Sequence, residues 1–200
     1  MNERQMQLLR SIYDSIDRRK YKEAISIRNN KRVCDNDLVL VLKAHCLERL
    51  NQNEEAVSIC RNVQRNKPID DTLLKTMYLV FKLTGNVNEM IPSYEYACEK
   101  NPQNEELWET LFFCYVRNFS FLKQQQPGMK MYKLFHKDKY CCWSSLSLLL
   151  QVKYNKQTPL KMLGLAEKML LKIMREKKEN QKLRVNSINY SDTSRTREVC

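Results

Sequence analysis

Two pairs of carboxylates and two histidines are the residues on which chemistry could rest in this chain. Asp14 stands three residues before Asp17, and Glu54 adjoins Glu55. Paired carboxylates serve as general acid and base when one stays protonated and the other ionised. That division needs a desolvated cleft. Both pairs fall instead at polar helix ends, where solvated surface is the simpler reading. His45 adjoins Cys46, and His136 stands five residues before Cys141. A structural zinc ion takes four converging ligands at short local spacings. Here there are two His, and eight Cys scattered over Cys34, Cys46, Cys60, Cys98, Cys114, Cys141, Cys142 and Cys200, with no C-x-x-C pair. Buried small thiols on helices and a packed His45 account for them. The three glycines, Gly85, Gly128 and Gly164, are too far apart for a phosphate loop or a nucleophile elbow. No metal, no cofactor, no catalytic residue and no small-molecule substrate is therefore expected.

The elements that carry these residues are helical. Hydrophobic residues make up 42% of the 200 and charged residues 29%, the balance of a folded chain, while three Gly and five Pro supply few turns. That scarcity favours long helices with short connections. The first ten residues are polar and mixed, unlike a signal peptide. The runs DLVLVLKAHCL and SSLSLLLQV are shorter than the ~20 residues that span a bilayer. The expected setting is cytoplasmic or nuclear, with the cytoplasm preferred and no membrane contact.

A period organises the helices. Lys67-Pro68 and Asn101-Pro102 stand 34 residues apart. If Pro68 closes one unit, that unit opens at Asp37, and Ala44, Leu47, Ala56 and Pro68 take its eighth, eleventh, twentieth and thirty-second places. In the next unit, from Asp71, the corresponding register holds Leu74, Tyr78, Phe81, Tyr94, Ala97 and Pro102; in the one from Glu105, Trp108, Leu111 and Tyr115 follow W-x2-L-x3-Y. This is the spacing of the tetratricopeptide (TPR) helix–turn–helix. Small residues let paired backbones approach, large ones fill the gaps between pairs, and proline ends the second helix. Any one of these residues fits an ordinary helical core; their common register does not follow from that. Upstream, Tyr21 and Ala24 repeat the spacing of Asn53 and Ala56, behind a stripe of Leu8, Leu9, Ile12, Tyr13 and Ile16. Downstream, KYCCWSSLSLLLQVKY and TPLKMLGLAEKMLLKIMREKK read as a fifth pair, with Thr158 as N-cap, Pro159 as first helical residue and Leu160, Leu163, Ala166 and Leu170 on one face.

The expected fold is all-α, a right-handed TPR-like α-solenoid of about five units near 3–36, 37–70, 71–104, 105–138 and 139–179. Two places fit badly. Pro127-Gly128 should kink or shorten the second helix of the fourth unit. LVLVL has strand propensity, which the period overrides. Beyond Asn180 the stripe stops, so 180–200 is expected to be a disordered basic tail.

Net charge is +12, and the last fifty residues carry +7 of it. Lys168, Lys172, Arg175, Lys177, Lys178, Lys182 and Arg184 stand there against Glu176 and Glu179. They read either as a solvated helix face or as a patch for ribosomal RNA, without the aromatic alternation of a base-reading module.

The segments RSIYDSID, LVLKAHCLERLNQNEEA, QQPGMKMYKLF, WSSLSLLLQ and LGLAEKMLLKIMREKK, in this order between about Arg4 and Lys178, resemble one family. It is the N-terminal portion of the non-catalytic auxiliary subunit of the NatB N-terminal acetyltransferase complex, called phagocyte signaling-impaired protein in arthropods. The misfit Pro127-Gly128 lies inside a matching segment. The resemblance implies a scaffold that binds a catalytic acetyltransferase subunit and anchors it near the ribosomal exit tunnel. Chains beginning Met-Asp, Met-Glu, Met-Asn or Met-Gln would be acetylated there, with acetyl-CoA held by the catalytic partner alone. Two other readings stand beside it. A generic TPR adaptor would clamp a chaperone tail through Lys43, Lys75 and Arg117, although these occupy non-equivalent places; a basic solenoid would bind RNA. Partner contacts are expected first on the concave first-helix faces of units two to four.

Overall fold

Asn36, Asp70 and Asn104 recur every 34 residues, and each opens a helix. In the computed structural model, which describes residues 3–30, 36–155 and 159–195, the Asn36 side chain accepts from Leu38 N at 3.0 Å. Asp70 accepts from Leu73 N at 2.8 Å, and Asn104 from Glu106 N at 3.1 Å. Each cap satisfies an orphan donor of the first turn. The helices so begun are α3 (Asp37–Arg49), α5 (Asp71–Leu83) and α7 (Glu105–Arg117). The helices before and between them are α1 (Glu3–Asp17), α2 (Tyr21–Asn30), α4 (Asn53–Gln64) and α6 (Ile91–Lys100), the last entered through a 3-10 turn at Val87–Met90. Pro92 sits in the first turn of α6, where its missing N–H costs nothing.

The turns inside the pairs repeat as well. Arg19, Asn51, Gly85 and Phe119 all have positive φ, at 58°, 63°, 79° and 52°. Each follows a first helix. The next residue then reaches back five places: Lys20 N to Ser15 O, Gln52 N to Leu47 O, Asn86 N to Phe81 O. This is the Schellman closure, which needs a left-handed residue. Only Gly85 takes that conformation without steric cost.

Contacts group the chain into two compact units, 1–119 and 120–200, where the sequence led us to expect one repeat domain over 1–179. In the first unit the core runs through every pair. Leu8, Leu9, Ile12, Ala24, Val39, Leu42 and Cys46 form one buried cluster. Val41, Ala44, Ala56, Cys60, Leu74, Val80, Phe81 and Ala97 have no exposed surface. The strand-like LVLVL is helical because α3 is buried on most of its sides, and β-branched residues are tolerated there. Polar clamps join neighbouring pairs. Arg61 grips Glu89 with two bonds of 2.7 and 2.8 Å, and the Gln64 amide donates to Glu89 O at 2.8 Å and Ser93 Oγ at 3.1 Å.

The second unit holds α8 (Phe121–Phe135), α9 (Asp138–Tyr154) and α10 (Lys161–Arg195). The expected shortening at Pro127-Gly128 does not occur: α8 runs through both residues, which are buried. Proline deprives the Lys123 carbonyl of its donor. On either side of that carbonyl α9 supplies donors of its own, Gln151 Nε2 to Phe121 O at 3.0 Å and Ser144 Oγ to Gln125 O at 3.3 Å. Two further expectations are corrected in α10. The helix continues to Arg195 instead of giving way to a disordered tail at 180, because no Pro or Gly follows Gly164 to end it; 196–200 lie outside the described residues. Its packed face is Ala166 and Ile173, while Leu160 and Leu163 are exposed and Leu170 is half-buried. Thr158 lies outside the described residues, and Pro159 precedes the helix.

Candidate interaction surfaces

The residues that share the period are mostly walls. Ala24, Ala44, Leu47, Ala56, Phe81, Ala97, Leu111 and Tyr115 are buried, as is Pro68; Tyr78 is half-buried and Pro102 exposed. Trp108 is buried and its indole Nε1 donates to Pro102 O at 2.9 Å, so the proline that ends one pair is tied to the aromatic that opens the next. Tyr115 donates to Glu95 across the same junction. Burial followed by that bond raises the Tyr115 phenol above its usual range.

The chemistry-bearing residues are dispersed. Among the described residues no group of three or more His, Cys, Asp or Glu is placed to hold a metal ion. His45 is buried, with Nδ1 3.9 Å from Glu48 Oε2, and neither atom has a hydrogen-bond partner among the described residues. Burial, and then the nearby Arg49 charge, holds the imidazole below its ordinary value. Burial alone pushes the Cys46 thiol up to about 11 and Cys60 to about 12, the opposite of an activated nucleophile. Cys141 is buried with Sγ toward Met169 O at 4.0 Å, whereas His136 is exposed in a left-handed cap at the end of α8. Cys34 and Cys200 lie outside the described residues. Glu54 and Glu55 are exposed at the start of α4, and Asp14 and Asp17 are exposed on α1.

Two of the three clamp candidates are already engaged. Lys43 Nζ meets Glu55 at 2.8 Å, and Lys75 Nζ meets both Asp71 and Glu106 at 2.7 Å. Arg117 lies over the Tyr78 ring, 5.8 Å from its centre. These positions offer no open set of cations for a chain-terminal carboxylate.

The basic end is divided by the helix it sits on. Lys168, Lys172 and Arg175 line one shallow cavity of about 310 Å³ with Leu171, Glu176 and Glu179. Lys177 turns to α9 and pairs with Asp138 at 3.4 Å, and Lys178 is exposed. The side chains of Lys182 and Arg184 lie outside the described residues. Lys172 and Glu176 also border a second cavity of about 470 Å³, with Tyr132, Lys133, His136 and Asp138. Both cavities mix charges. Among the described residues no helix is long and apolar enough to cross a membrane.

Sequence reasoning passed over the caps Asn36, Asp70 and Asn104 and the left-handed corners, although the 34-residue step that locates Pro68 and Pro102 also locates the caps. It likewise missed that Leu79 and Phe113 are equivalent residues on the solvent side of α5 and α7.

Residues 3–187 match the family described as Psidin, N-terminal TPR repeats region. The N-terminal acetyltransferase B complex auxiliary subunit NAA25 of Arabidopsis thaliana is 36% identical over 172 residues, covering 82% of this chain and 16% of that protein. The N-alpha-acetyltransferase 25, NatB auxiliary subunit of Homo sapiens is 33% identical over 175 residues, 85% of this chain and 18% of that one. Phagocyte signaling-impaired protein of Drosophila pseudoobscura pseudoobscura is 31% identical over 178 residues, with the same shares of 85% and 18%. The chain thus spans less than a fifth of the length of these relatives. The solved structure of Naa15/Naa10 bound to HypK-THB has a TM-score of 0.65 at 15% identity, over 86% of this chain and 25% of that chain. A MamA RS-1 ArsTM double mutant has a TM-score of 0.54 at 14% identity, over 91% and 99%. At these identities the likeness is one of fold, and the fold is all-α and TPR-like.

Proposed function

The chain belongs to the family of Psidin N-terminal TPR repeat regions, and on that premise we propose that it acts as part of a non-catalytic auxiliary subunit that binds a NatB-type catalytic acetyltransferase and positions it at the ribosome. The observation that carries this reading is the identity of 31–36%, over four-fifths of the chain, with proteins named as NatB auxiliary subunits or phagocyte signaling-impaired protein. The chemistry of the chain agrees. The thiols of Cys46, Cys60 and Cys114 are buried and held protonated, and the described histidines and carboxylates are dispersed, which suits a scaffold and leaves the reaction to another molecule. Acetyl-CoA is held by that partner, in the cytoplasm, and nascent chains beginning Met-Asp, Met-Glu, Met-Asn or Met-Gln are acetylated. Contact with the ribosome falls to Lys168, Lys172 and Arg175 on α10, a face in reach of phosphates although Glu176 and Glu179 dilute it.

Acetylation of a Met-Asp peptide by the catalytic subunit, measured with and without this chain, tests the proposal. Added chain should raise the rate while showing none alone. An unchanged rate, or acetylation by the chain itself, would overturn it. For the ribosome, Lys168→Glu with Arg175→Glu should weaken co-sedimentation and flatten its salt dependence; sedimentation indifferent to the double change would remove α10 from the contact.

A further inference from the structure

The three helices of the second unit bring their ends together at one tip. Gln151 Nε2, in the last turn of α9, donates to Phe121 O at the start of α8 at 3.0 Å, and the Phe121 and Tyr154 rings stack with centres 5.5 Å apart. α10 runs antiparallel to α9: Lys177 meets Asp138 where α9 begins, and Met169 O lies 4.0 Å from Cys141 Sγ. The turn that opens α10, closed by Leu163 N on Leu160 O at 2.9 Å, therefore returns to the end where α9 stops.

Leu122, Tyr154 and Leu160 stand at this tip, 67%, 64% and 73% exposed. Side chains that wall a groove are half-covered by one another, whereas these three keep most of their surface in water and project singly. At the corresponding corners of the first unit, α2 and α4 open instead on exposed Lys22, Glu23, Glu54 and Glu55. Repeat stacking covers the faces of helix pairs and leaves their corner edges open, so it does not account for the two leucines.

Charge surrounds these prongs with one sign. Lys123, Lys153 and Lys161 each adjoin one of them in sequence, are exposed, and have no carboxylate partner among the described residues. Lys153 Nζ lies 5.3 Å from the centre of the Tyr154 ring. Between residues 110 and 166 the sequence holds a single carboxylate, Asp138, against Arg117 and eight lysines. Asp138 begins α9, at the far end of the unit, and is paired there with Lys177. The tip is therefore cationic without the dilution that Glu176 and Glu179 bring to α10.

We propose that this tip seats on the surface of an anionic phospholipid bilayer. Leu122 and Leu160 enter the boundary between headgroups and acyl chains, Tyr154 lies at headgroup level, and the three lysines meet the anionic headgroups. Lysine stems run along apolar surface while their ammonium groups stay in the polar layer, so prongs and ring act together. RNA fits less well, because it would take the lysines and leave both leucines in water. The short apolar runs of the sequence argue against a span, which is a different matter from surface contact. The inference stands independently of the acetyltransferase reading.

Flotation of the full chain with vesicles measures this contact. Phosphatidylcholine vesicles containing about 30% phosphatidylserine should carry about fivefold or more protein than pure phosphatidylcholine. Leu122→Ser with Leu160→Ser should lower that binding about fivefold, and Lys123→Glu with Lys153→Glu at least as much. Lys168→Glu with Arg175→Glu should leave it within about twofold, since those residues lie on another face. In Leu160→Trp, brominated lipid should quench the added emission. All the substituted positions are exposed, and thermal melts of each variant check that the fold is kept. No binding, equal binding to both vesicles, binding unmoved by the folded double-serine variant, or an unquenched Trp would overturn the proposal. So would binding that only the Lys168→Glu, Arg175→Glu pair removes. Retention of ribosomal RNA in place of vesicles, abolished by Lys123→Glu with Lys153→Glu, would assign the tip to RNA and overturn it as well.

Discussion

The first unit, 1–119, and the second, 120–200, solve the same packing problem with different chemistry. In the first, helices meet through apolar surfaces in which Ala44, Ala56 and Ala97 permit close approach and Phe81, Trp108 and Tyr115 fill what remains. In the second, α8 and α9 are joined by a polar seam: Ser144 and Gln151 are buried and donate to carbonyls of α8. That seam accompanies the proline. A helix with Pro127 in its interior has disturbed carbonyls, and Ser144 and Gln151 bring donors to their neighbours. Repetition allows the first unit to use one set of caps and corners throughout, whereas the second depends on particular pairs.

Changes that attack each solution should separate the two. The largest effect is expected from Trp108→Ala, which removes a buried indole and its bond to Pro102 O; urea unfolding should register a loss of about 3–5 kcal/mol. Ser144→Leu overfills the seam between α8 and α9 and should cost about 1–3 kcal/mol by the same measurement. A neutral Ser144→Leu would mean that the seam is loosely packed and that the contrast is false. Asp70→Ala strips the cap of α5 and should cost about 1 kcal/mol.

His45 gives the first unit a pH dependence of definite sign. Its folded value is depressed, so the unfolded chain binds the extra proton, and stability must fall as pH drops through the ordinary imidazole value of 6.5. The thermal midpoint should decline from pH 7 toward pH 5.5 less steeply in His45→Leu than in the parent; identical slopes would show that His45 is not responsible. The smallest effect concerns the corners. Arg19 is exposed at φ 58°, and Arg19→Gly should raise stability by up to about 1 kcal/mol through relief of left-handed strain. No gain would mean that the Schellman bonds already absorb that strain.

How much was readable follows the same division. Pro68, Pro102, Trp108 and the buried alanines were legible because a repeat imposes the same demand every 34 residues, and the resemblance to the NatB auxiliary family came from segments in fixed order. The caps were equally periodic but went unread, since Asn and Asp are common in any loop. Pro127 misled as to the length of α8 because proline's local preference is clear, while the donors beside it come from a helix about 20 residues away in sequence. The tail misled for the converse reason: lack of an apolar stripe argues against burial, not against a helix. Of the basic cluster, the sequence supplied charge but not direction; among the described side chains Lys168, Lys172 and Arg175 line a common face.

The claim on which the rest depends is that this chain is a scaffold with a catalytic partner. Size-exclusion chromatography with light scattering, on the purified chain mixed with a NatB-type catalytic subunit, measures that directly. One-to-one co-elution at the summed mass is the predicted result. Separate elution of two monodisperse species at micromolar concentration would contradict it.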